Sequence, residues 1–139
     1  MRWLFAGALV VHGIAHLAGF AVAWHFVHSP EVPYKTTVLG GLVDVGDGGA
    51  RTIGLLWLAL TLAFLLSAYA TIANWASAFS LALSAITASA VLCAIALPEA
   101  GIGLAVNVVL VIVLAIGPRA GLTVYDRGST IPQTQGALR

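Results

Sequence analysis

Four apolar runs, at about residues 3–27, 53–73, 76–97 and 102–117, contain no aspartate, glutamate, lysine or arginine. A helix needs about 20 apolar residues to cross a hydrocarbon core of roughly 30 Å, so the runs have the length of membrane spans, the fourth being the shortest. Inside a bilayer no water is available to backbone amides, which makes helices the expected form whatever the β-branched content. Composition agrees: 60% of the 139 residues are hydrophobic and 8% are charged, against about 25% charged in soluble domains. The fold expected is an all-α integral membrane four-helix bundle occupying residues 1–122, with an outer loop over 28–52 and a polar tail over 123–139. The runs stop where turn formers gather, at Ser29-Pro30 and Pro33, at Asn74-Trp75, between Pro98 and Gly101, and at Gly117-Pro118.

Lysine and arginine placement sets the expected orientation. Arg2 stands at one end of the chain and Arg119, Arg127 and Arg139 at the other, while Lys35 and Arg51 lie among Glu31, Asp44, Asp47 and Glu99. Both termini are therefore expected on the cytoplasmic side of a multi-pass protein of the cell (inner) membrane. Arg2, the apolar stretch behind it and Ala21-Val22-Ala23 have the outline of a secretory signal. The run is longer than a usual signal core and holds two histidines, so it is read as a retained helix. Within the outer loop, 38–43 is apolar enough to rest on the membrane or dip into the bundle, and Gly46-Asp47-Gly48-Gly49 reads as a turn.

Several function classes drop out. A formal charge of +1 argues against nucleic acid. One cysteine, Cys93, allows no internal disulfide, Cys-x-x-Cys redox pair or multi-thiolate site within one chain.

The chemistry-bearing residues lie inside the oil. His12 and His16 are one helical turn apart in the first run, and polar rings in hydrocarbon need partners or a protein interior. Ala8, His12, His16, Gly19 and Ala23 recur at three- and four-residue steps, which places them on one face, expected to turn inward. Ser77, Ser80, Ser84 and Thr87 form a comparable stripe on the third run, and Asn107 is the only strongly polar side chain of the fourth. Counting depth at about 1.5 Å per residue puts His16 near Thr61, Thr87 and Asn107, and His12 toward Ser84. Candidate ligand contacts are therefore His12, His16, Ser84, Thr87 and Asn107, with both imidazoles neutral and bonded to these groups.

Two histidines at i and i+4 share one side of a helix and can hold one metal together, but cannot take both axial positions of one haem. A bis-histidine haem would need a second chain. His12-Gly13-Ile14-Ala15-His16 also lacks the glutamate of a zinc-peptidase His-Glu-x-x-His. Cys93 is a conceivable third ligand, though a small packing role suits it better. At the outer boundary, His25, His28 and Glu99 are further candidate ligands for a divalent cation, their commoner role being solvated interfacial groups. Arg51 reads as a snorkelling anchor, with an anion or headgroup contact as the alternative.

The run from His12 to Phe20, Arg51-Thr52-Ile53-Gly54-Leu55-Leu56-Trp57, and the stretch from Gly103 to Asn107 resemble a group of small four-span bacterial membrane proteins often labelled as transporter permeases. In size and topology the chain is also similar to DoxX-type proteins. The resemblance covers the four spans and implies their topology; it supplies no reaction.

The function expected is that of a ligand-binding or accessory subunit. Its His12/His16 face would hold a hydrophobic or redox-active small molecule: a quinone, a haem in an oligomer, or a divalent metal. Beyond the lipid bilayer, the expected partners are further copies of the chain or a larger membrane complex. The alternatives are an oxidoreductase acting on quinone or lipid, and an oligomeric transporter component.

Overall fold

The computed structural model describes residues 2–28, 30 and 33–116. The expected tail at 123–139, Glu31 and the end of the fourth run lie outside the described residues. The chain folds as helices α1 (Arg2–Ala15), α2 (Leu17–Ala23), α3 (Gly46–Ile72), α4 (Ala78–Ile95) and α5 (Gly101–Ile116). Between α2 and α3 lies a small antiparallel ribbon, β1 (Thr37–Val38) with β2 (Val43–Asp44), in which Thr37 faces Asp44 and Val38 faces Val43. Three helices are long and apolar enough to cross a membrane: the continuous α1–α2 pair, α3 and α4. The fourth, α5, is apolar and shorter.

The step between α1 and α2 has a local cause. Thr61 Oγ1 lies 3.0 Å from the Gly13 carbonyl and 3.2 Å from the Trp57 carbonyl of its own helix, so its one proton is shared between them. The Gly13 carbonyl also accepts the amide of His16, at 3.1 Å and three residues on rather than four. A hydroxyl inserted into the helical ladder kinks it. Glycine at 13 allows the approach, because a Cβ there would lie 2.8 Å from Phe64 Cβ. Gly19 lies against Trp57 and Gly54 against Ala23 in the same way. Small residues thus let the first two helices press onto α3, the packing that stands in for a hydrophobic driving force when lipid is the solvent.

Helices α1 and α2 pack on α3, α3 on α4, and α4 on α5. Two apolar clusters result. One joins Leu9, Phe64, Ala82, Ile86 and Leu110, and the other Trp57, Leu60, Leu92 and Cys93. Large apolar side chains such as Leu4, Val11, Leu62, Leu66, Val91 and Val109 face outward, the distribution expected of a lipid-facing surface.

Two expectations about the first half change. Ala8 is exposed, and the buried face of α1 runs through Ala6, Leu9, His12 and Gly13, because Leu9 rather than Ala8 fills the space beside Phe64. Residues 46–49 form the first turn of α3 rather than a free turn. Asp44 Oδ1 accepts the Gly46 amide at 3.0 Å, and Asp47 sits in the first turn, where the helix dipole favours a carboxylate. At 27 residues, α3 is roughly 40 Å long, so it exceeds the hydrocarbon thickness.

Candidate functional site

Between the two apolar clusters lies a layer of buried polar side chains: His12, His16, Thr61, Ser89 and Asn107. The kink at His16 and the helical step from His12 aim both rings inward. Their centroids are 4.6 Å apart, with Phe64 edge-on at 4.9 Å from His12 and 5.4 Å from His16, and Trp57 at 4.9 Å from His16. His12 Nε2 lies 3.1 Å from Asn107 Oδ1, and His16 Nε2 lies 2.7 Å from Ser89 Oγ. Asn107 Nδ2 donates to Ser89 Oγ at 2.9 Å and to the Gly103 carbonyl at 3.0 Å. The Gly103 carbonyl can only accept, so it fixes the carboxamide with its nitrogen toward α4 and its oxygen toward His12.

Helix α5 packs on α4 rather than on α1, and the bond from His12 to Asn107 closes the ring of helices across the remaining seam. Beside that bond a cavity of about 350 Å³ opens, its walls formed by Gly19, Val22, Trp57, Cys93, Ala96 and Val106 and its inner end by His12 and His16. The volume falls in the range of small-molecule pockets, about 300–1,000 Å³. Exposed Ala18 and Ile102 form part of the wall, so the cavity meets the outer surface of the bundle between α2 and α5.

The segment 33–45 lies across the end of this cavity, to which Tyr34, Lys35, Thr37 and Val38 contribute. Three ties hold it: an ion pair of Lys35 with Glu99, a bond of 2.6 Å donated by the Tyr34 hydroxyl to Asp47, and a bond of 3.0 Å from the Gly40 amide to the Leu97 carbonyl. The hydrogen bond from Lys35 holds the Glu99 carboxyl below the ordinary range, and the bond to Asp47 pushes the Tyr34 phenol up. The amide of Gly46, then the Thr36 hydroxyl, pull Asp44 down. Of the apolar stretch 38–43, Val38 joins the cavity wall while Leu42 at the ribbon tip is 85% exposed.

The structure brings His12, His16 and Asn107 together. It does not bring Ser84 or Thr87 to them. Ser77, Ser80, Ser84 and Thr87 are all exposed, and α4 turns Ala82, Ala85, Ile86, Ser89, Leu92 and Cys93 inward. A serine hydroxyl on a helix can satisfy itself on a nearby backbone carbonyl, as Ser80 does on Ser77 at 2.9 Å, so a hydroxyl stripe needs no buried partner. Ser89 is the residue that sequence reasoning missed. Its signal was the small-residue series Ala82, Ala85, Ser89 and Cys93 at three- and four-residue steps.

Among the described residues no three histidine, cysteine, aspartate or glutamate side chains converge as a metal site. His25 and His28 are exposed, His25 stacks on Tyr34 at 4.3 Å, and Glu99 is engaged by Lys35. His25 and His28 line one shallow pocket with Tyr34, while Glu99 is not among the residues of that pocket. Cys93 is buried in the cavity wall, 3.7 Å from Asn107 Nδ2. Arg51 lies over the Trp24 ring, 5.8 Å from its centroid, and its carbonyl accepts the Trp24 indole N–H at 3.3 Å. In comparisons with known proteins, no family model, no curated protein and no solved structure matches the chain.

Proposed function

We propose that this chain is a four-span protein of the cell membrane, with both termini cytoplasmic, that binds an apolar small molecule in the seam between α2 and α5. The observation that carries this reading is the cavity of about 350 Å³ whose apolar walls end on the His12/His16 pair. Apolar walls with a few converging polar groups are the usual make-up of a small-molecule site, and intramembrane ionisable residues mark functional paths. A guest arriving from the bilayer would pass Ala18 and Ile102, place its polar end at the imidazoles and leave its apolar body against Trp57, Val22 and Val106. Its role would be that of a binding or accessory subunit, alone or within a larger membrane assembly.

The experiment is mass spectrometry and absorption spectroscopy of protein purified gently from its native membrane. A stoichiometric small molecule is expected with the wild-type chain and not with a His12→Ala/His16→Ala variant that keeps its helical content. A wild-type chain that carries nothing, or a variant that keeps the same guest, contradicts the reading.

A second reading, an oxidoreductase acting on a quinone or lipid, draws on the Ser89 hydroxyl and Cys93 thiol beside the imidazoles. Turnover of added quinone by the purified chain separates it from binding alone.

A further inference from the structure

We infer that the His12/His16 pair is built to receive a hydroxyl group, so that the guest is a lipid-soluble alcohol or phenol rather than a ketone, aldehyde or ether. This rests on the binding reading above and narrows it.

The hydrogen-bond network orders its own protons. Asn107 Oδ1 can only accept, so His12 Nε2 carries the proton of that 3.1 Å bond. Asn107 Nδ2 spends its two protons on the Gly103 carbonyl and on Ser89 Oγ. Ser89 must then direct its own proton either to His16 Nε2 at 2.7 Å or to Cys93 Sγ at 4.0 Å. A His16 Nε2–H donating to Ser89 would keep the short contact and leave the Ser89 proton only sulfur at 4.0 Å. But 2.7 Å is the length of a bond from an O–H donor, whereas N–H donors sit at about 2.9–3.0 Å, so Ser89 donates to His16.

The two neutral rings are thereby set in opposite tautomers. His12 holds its proton on Nε2 and leaves Nδ1 as an acceptor; His16 accepts at Nε2 and carries its proton on Nδ1. Neither Nδ1 has a hydrogen-bond partner among the described residues. Among the described residues no sealed side-chain nitrogen or oxygen lacks a partner, so both Nδ1 atoms open toward the cavity that the rings line. Each histidine is only 5% exposed, and an unmet polar atom at such a site is costly.

With the ring centroids 4.6 Å apart, a single oxygen seated between one acceptor and one donor would donate to the first and accept from the second, each bond about 2.9 Å long. A hydroxyl does both. A carbonyl or ether oxygen accepts from His16 and leaves His12 Nδ1 without a partner.

The test measures binding of para-octylphenol, its methyl ether and para-octylbenzaldehyde to the full chain in nanodiscs, alongside imidazole nitrogen NMR of the ligand-free protein. The phenol is expected to bind at least about tenfold tighter than the ether or aldehyde, the loss of one buried hydrogen bond. In His12→Phe that preference falls to within about twofold. NMR of the wild type is expected to show His12 protonated on Nε2 and His16 on Nδ1. Equal affinity for the three probes, or one shared tautomer, overturns the inference and leaves the cavity reading standing. No binding of any probe overturns both.

Discussion

The imidazole of His12 meets the carboxamide of Asn107 at 3.1 Å across the seam between α1 and α5, whose backbones do not pack closely. That bond joins the first helix to the last. It belongs to a layer in which Asn107, 1% exposed, also holds Ser89, 0% exposed, at 2.9 Å. The layer closes the bundle and its two histidines form the polar end of the cavity, so stability and ligand recognition should both respond to His12 and His16.

Replacing Asn107 with leucine keeps the volume and removes every bond of the carboxamide. The expected loss of stability is about 1–2 kcal/mol, the upper part of the range for interhelical polar contacts in membranes. Unfolding measured in mixed micelles checks it. A double-mutant cycle with Ser89→Ala should show a coupling of at least about 0.5 kcal/mol, since the two side chains touch. Additive losses would mean that the layer is not a connected network.

Glycines 13 and 7 separate packing from helix propensity. A Cβ at Gly13 would stand 2.8 Å from Phe64 Cβ and 3.4 Å from the Thr61 carbonyl oxygen, whereas one at Gly7 meets nothing within 4 Å. Gly13→Ala is expected to destabilise by about 1–3 kcal/mol through overpacking. Gly7→Ala should be neutral or slightly stabilising, because alanine is the better helix former. The same unfolding assay ranks the two.

The tie between Lys35 and Glu99 predicts a pH effect on the strap over the cavity. Glu99 has a folded value below its unfolded one, so its contribution is present above the ordinary glutamate value of about 4.3. It is lost as pH falls through the folded value. Thermal midpoints of wild type and Glu99→Gln should therefore differ at neutral pH and converge in acid. A difference that persists or widens in acid would contradict the assignment.

Much of the architecture was legible from apolar run length, because long uncharged apolar runs have the length and composition of spanning helices, and three of the four became helices long enough to cross a membrane. Asn107 was legible as a partner because nothing else in its run is strongly polar. The facing of α4 was not. Alanine, serine and leucine are spread evenly around that helix, so Ser84, Thr87 and Ser89 look alike until α3 and α5 are in place and bury Ser89. The start of α3 was hidden by glycines at 46, 48 and 49, whose low helix propensity is overcome by the Asp44 cap and by Val45 packing over Gly49. The cavity itself could not be read, since its walls are drawn from α1 to α5 and from the segment 33–45 at once.

The central claim, that the paired imidazoles face a guest-sized space inside the protein, is tested most directly by an experimental density map. The chain would be held in nanodiscs prepared from its native membrane, without added ligand. The account predicts density in the seam between α2 and α5, in contact with His12 and His16 and bounded by Trp57 and Val106. A seam filled by side chains, or rings turned outward among acyl chains, would contradict it.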